Sequence, residues 1–210
     1  MLDAFVGRLA RTSSLAALAL VFAGGTMACA SKSVSRIDPG TVTDLSGRWN
    51  DTDSRLVANK LIEESLTSAW AKRYAELHGG DAPTIIVGDF NNRTMEHIPV
   101  GTFVRDLERA FIGSGAVRVV ASAAERQDVR AERADQQQNA RADSRAKIGM
   151  EQGARYMLQG DLQAIEDGAG REKIVYYQVD ATLVDLESNA KIWVGQHRIK
   201  KYIERKRFGL

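Results

Sequence analysis

The run Thr84 to Thr94, TIIVGDFNNRT, limits what this chain can fold into more than any other stretch. Ile85-Ile86-Val87 is a short β-branched run between Pro83 and Gly88-Asp89. An apolar run of that length between breakers suits a strand buried on both faces. Asn91-Asn92-Arg93-Thr94 then forms a polar tip at the strand's end. Beyond Pro99, the residues Val100, Phe103, Val104, Leu107 and Phe111 recur at helical spacing on one face. Gly113 and Gly115 stop that helix, and Val117 to Val120 makes a second strand. Strand, helix and strand in such quick succession form a right-handed parallel crossover, the signature of an α/β layer. The tip has no Gly-rich phosphate pattern, so a nucleotide cradle is not expected there.

The remaining elements extend this layer. A helix is expected from about Thr52 to Leu77, with Asp51, Thr52, Asp53 and Ser54 crowding its start. Its apolar stripe is Ala58, Leu61, Ile62, Leu66, Ala69, Trp70 and Leu77, and Gly79-Gly80 ends it. Trp49 and Trp70 read as caps on the core. Glu63 and Glu64 are adjacent, hence on different azimuths, and make a poor carboxylate pair. From Ala123 to Asn139 comes a charged helix. Glu125, Asp128, Glu132 and Asp135 line one stripe, and Arg126, Arg130 and Arg133 the next. Its apolar seam is thin, which suits a largely solvated helix covering one edge of the sheet. A further helix is expected from about Ala142 to Gln152, ending at Gly153. Three strands follow: Tyr156 to Leu162, Lys173 to Leu186 and Lys191 to Ile199. In the second, Val175, Tyr177, Val179, Ala181 and Leu183 alternate with Gln178, Asp180 and Thr182, as in a half-exposed antiparallel strand. The expected architecture is a single α/β domain whose mixed sheet of about five strands is flanked by helices.

The N-terminus reads as an address label. Arg8 and Arg11 precede the apolar run Leu15 to Ala23, and Gly24 to Ala28 supplies small residues ahead of Cys29. That is a signal-peptide layout, too short to span a bilayer of ~30 Å. Cys29 is the only cysteine, so no intramolecular disulfide can form. Its position marks it as the lipidated first residue of a mature bacterial lipoprotein, and Ala30 after it, rather than Asp, leans towards the outer membrane. The expected organisation is a leader over 1–28, a flexible tether over 29–48, a globular domain over 49–203 and a basic tail over 204–210. With 29 basic and 27 acidic residues, the chain lacks the charge excess of a dedicated nucleic-acid binder. The three histidines, His78, His97 and His197, stand far apart with no metal-ligand spacing. No nucleophile elbow appears either. The reading is therefore a non-enzyme with no metal and no cofactor.

Within the tip, Asn91 and Asn92 tolerate left-handed backbone and can bond their own chain, so turn formation explains them as well as a contact does. Arg93 is not required by turn chemistry. Asn92-Arg93-Thr94 and Asn50-Asp51-Thr52 match the N-glycosylation pattern by chance in a bacterial chain. The strand running into Asn91-Asn92-Arg93-Thr94, with Ala146-Lys147-Ile148-Gly149, Gly153-Ala154-Arg155-Tyr156 and a final hairpin holding Val179, Leu183, Ile192, Trp193 and Gly195, resembles the LpoB family. These are outer-membrane lipoprotein activators of penicillin-binding proteins, and the likeness runs from about Trp49 to Lys200. The resemblance implies a TolB-N-terminal-like domain on the periplasmic face of the outer membrane. It also implies a bifunctional penicillin-binding protein as partner, stimulation of peptidoglycan synthesis by allostery, and a monomer that does no chemistry itself. Asn91, Asn92, Arg93 and Thr94 are the expected partner-binding residues. Two other readings compete: a secretion or assembly accessory lipoprotein with a TolB-like or CsgG-like domain, and a peptidoglycan-modifying enzyme.

Overall fold

A computed structural model describes residues 33–205. The leader and Cys29 lie outside these residues, as does the tail beyond Arg205. The chain divides into a unit ending at Pro39 and a second beginning at Gly40. The second holds every element below.

In chain order these are α1 (Asp51–Thr67), α2 (Ala69–Leu77), β1 (Thr84–Asn92), α3 (Val100–Ser114), β2 (Arg118–Val119), α4 (Ala123–Asn139), β3 (Tyr156–Ala169), β4 (Glu172–Asp185) and β5 (Lys191–Glu204). The five strands form one sheet in the order β2-β1-β3-β4-β5. β1 is parallel to both of its neighbours, whereas β3, β4 and β5 are antiparallel. The expected mixed α/β sheet and its parallel crossover are both present.

The core lies on one face of the sheet. Val175, Tyr177, Val179, Ala181 and Leu183 of β4 are buried, as their alternation predicts. Against them pack Val57, Leu61 and Ile62 of α1 and Phe103, Leu107 and Phe111 of α3. Gly160 of β3 marks the tightest approach. A Cβ there would lie 2.2 Å from the Asp180 carbonyl oxygen and 2.5 Å from the Phe90 ring, so only glycine lets that ring seat.

Five expectations about elements need correction. The long first helix breaks at Ser68, whose backbone is extended. There the Thr67 and Ser68 hydroxyls donate to the carbonyls of Glu63 and Ser65, competing with the helix ladder. The break turns Trp70 inward, its indole N–H donating to Ser65 O at 2.7 Å and its ring meeting Tyr156 edge-on. The cap of α1 is Asn50, one residue ahead of the expected cluster. Its side chain accepts from Asp53 N while Asp53 returns a bond to Asn50 N, a capping box.

Gly88-Asp89 does not end β1. The strand bulges there, with its register against β3 shifting between Val87 and Phe90, and runs on to Asn92. The expected helix over Ala142 to Gln152 is absent. Ile148 and Met150 stay exposed, with no core to drive a helix, and Gly149 takes a left-handed φ of 78°. Finally, β5 continues to Glu204, five residues past its expected end at Ile199, so Lys200 and Lys201 belong to the strand.

Candidate partner-binding tip

The tip begins where β1 leaves the sheet. Arg93 N donates to Leu162 O at 2.7 Å, the last main-chain link to β3. The Asn92 amide N–H donates to Glu96 O at 2.7 Å, while its oxygen accepts from the backbone and hydroxyl of Thr94 at 2.9 and 2.7 Å. Glu96 N in turn donates to the Thr94 hydroxyl oxygen at 3.1 Å. Asn92 and Thr94 thus build the turn, as their residue types allow. Asn91 is exposed at the end of the strand, and Arg93 is exposed too, its guanidinium donating to Asp161 at 3.1 Å. The structure brings the four expected residues together but divides their labour: two fasten the loop, and two face solvent.

Sequence spacing missed what holds this loop in place. The Tyr177 hydroxyl, from the middle of β4, donates to Glu96 Oε1 at 2.6 Å, with Gly47 O a second acceptor at 3.2 Å. Trp49 N donates to the other Glu96 oxygen at 3.2 Å, and the Trp49 ring stands edge-on to Tyr177. Burial, with the Glu96 carboxylate second, pushes the Tyr177 hydroxyl far above its ordinary pKa, so it remains a donor at any physiological pH. Met95, between Thr94 and Glu96, is left fully exposed at the apex. The tied backbone beneath Met95 has already lost the loop freedom that binding would otherwise cost.

Beside the tip, the segment Thr43 to Asn50 lies strapped to the body. Lys201 of β5 donates to Asp53 at 2.6 Å, Asp44 at 2.9 Å and Arg48 O at 3.0 Å. The Asn50 amide adds a 2.7 Å bond to Asp44. Burial alone would lower the Lys201 pKa, but its two carboxylate partners together raise it. The last residues of the expected tether are therefore part of the folded body. Among the described residues, no cluster of three or more His, Cys, Asp or Glu could hold a metal. No described helix is long and apolar enough to cross a membrane.

A mixed five-stranded sheet with a hydrogen-bonded tip at the end of β1 defines the class: a mixed α/β domain. The model of the family described as peptidoglycan-synthase activator LpoB matches residues 53–199, and the chain belongs to that family. The family's members activate synthases and are not themselves enzymes. The chain is similar to the LpoB C-terminal domain from Escherichia coli, at 14% identity over 64% of this chain and 100% of that one, with a TM-score of 0.35. The corresponding figures for the LpoB C-terminal domain from Salmonella enterica are 18%, 63%, 93% and 0.32. For the lipoprotein GNA1162 from Neisseria meningitidis they are 16%, 60%, 88% and 0.36. No curated protein matches the chain in sequence.

Proposed function

We propose that this protein is a lipoprotein held by acylated Cys29 on the periplasmic face of the outer membrane, where it binds a bifunctional penicillin-binding protein and stimulates peptidoglycan synthesis. The family match over 53–199 carries the reading. The tip supports it: Asn91, Arg93 and Met95 stand exposed on a loop that three other parts of the fold fasten. Asn92 and Thr94 serve the contact by shaping that loop. The activator acts by binding the synthase's active conformation more tightly than its resting one, since a ligand shifts an equilibrium only by its differential affinity. It acts as a monomer and needs no cofactor.

The test is glycan-strand polymerisation by each bifunctional synthase of the same organism, with and without the purified lipoprotein. Stimulation is expected with at least one synthase. Replacing Arg93 and Met95 together by alanine should reduce it several-fold at unchanged melting temperature. No stimulation of any synthase would overturn the reading. Cys29→Ser should release the protein from the membrane fraction of cells, and retention there would refute the lipid anchor.

A further inference from the structure

The sheet has an unfinished edge. β2 is two residues long and pairs only with Thr84 and Ile85, whereas β1 continues to Asn92 with β3 along its other side. From Ile86 onward, the outer edge of β1 has no neighbouring strand among the described residues. Main-chain N–H and C=O groups along such an edge are a template for an added strand. A groove of about 760 Å³ runs beside it, walled by Val100, Gly101 and Val104 of α3 and by Ser122 and Ala123 at the start of α4. The walls carry little bulk at Gly101 and Ala123, and a Cβ on Gly101 would meet nothing within 4 Å. α4 buries no residue of its own. It stands off from the sheet, tied by Glu125 to Arg105 and by Arg130 and Arg133 to Glu151.

The charge of the groove identifies the kind of chain that fits. Asp89, Glu108, Asp161 and Asp180 line it against Arg105 and Lys191. Arg105 is already shared by Glu108 and Glu125, and Asp161 is paired with Arg93, so among the described residues Asp89 and Asp180 are the lining carboxylates with no ion pair. Asp161 and Asp180 sit directly opposite each other on adjacent strands, on the sheet face away from the helices. We infer that this edge takes up an extended, basic segment of the partner synthase as a sixth strand. The added strand would set a Lys or Arg beside the exposed Asp89 of the adjoining β1, and apolar residues at the intervening positions towards Val100 and Val104. This rests on the functional reading above and names where the partner's chain lies.

The test compares binding of the full-length lipoprotein to the purified bifunctional synthase by surface plasmon resonance. Gly101→Trp fills the groove, and Gly113→Trp places the same bulk in open space at the far end of the same helix. Gly101→Trp and Asp89→Lys should each weaken binding at least tenfold, with Gly113→Trp unchanged. Amide exchange over residues 86–92 should slow in the wild-type complex. Wild-type affinity in Gly101→Trp, or unprotected amides over 86–92 in the complex, would overturn the inference while leaving the functional reading intact. A wild-type protein that binds no synthase would overturn both.

Discussion

Tyr177 shows how one hydroxyl can decide the shape of a surface some distance from its own strand. It is fully buried, and its O–H reaches the Glu96 carboxylate that fixes the tip. Tyr177→Phe keeps the ring and takes the tyrosine donor from that part-buried carboxylate oxygen, at a cost of about 1–2 kcal/mol. Chemical denaturation should show that loss, and amide exchange at Thr94 to Glu96 should quicken. Leu107, fully buried beneath α1, is a plain packing residue; Leu107→Ala should cost about 2–5 kcal/mol by the same measurement. Asn92 and Thr94 were legible as turn formers because their chemistry is local. Glu96 was not, since Tyr177 lies 81 residues away and nothing in local spacing marks either as a partner of the other.

At the scale of elements, periodicity read the core and failed where burial was absent. The alternation of β4 reappears residue for residue, and on the apolar face of α3 Phe103, Leu107 and Phe111 are buried while Val100 and Val104 are only partly so. The segment 142–152 carried a helical pattern that no neighbour makes use of, and it stays irregular. The break at Ser68 arose from side-chain hydroxyls competing for backbone carbonyls, a choice that hydrophobic spacing cannot register. The charged α4 keeps its expected limits, yet rests on ion pairs instead of apolar contact. Its anchor Glu151 is drawn down from its ordinary 4.5 to about 2, first by its bond from Arg130 and then by that from Arg133. A depressed carboxylate stabilises the fold above its unfolded pKa and loses that contribution as pH falls through the folded one. The tie should therefore weaken progressively from about pH 4.5 towards pH 2. Amide exchange in α4 should rise across that window, and in Glu151→Gln it should already be fast at pH 7.

For the molecule as a whole, the open edge of β1 and the tip stand at one end of the same strand, so one partner can meet both. The mixed sheet itself was readable from the order of its elements, since a parallel crossover followed by a long hairpin leaves few alternatives. The strap was not, because its bonds join the first folded residues to the last strand. Lys201→Met would leave Asp53, itself buried, without its ammonium partner, at a cost of about 3–5 kcal/mol. A fall in melting temperature checks this, and Asp53→Asn in the same chain should restore part of it.

The Lys201 clasp also sets a timetable. Asp44 and Asp53 precede Lys201 by 157 and 148 residues. Contacts between such distant positions close late. The first helix therefore stays unclasped until β5 is made and seated, and a chain truncated ahead of Lys201 can never latch.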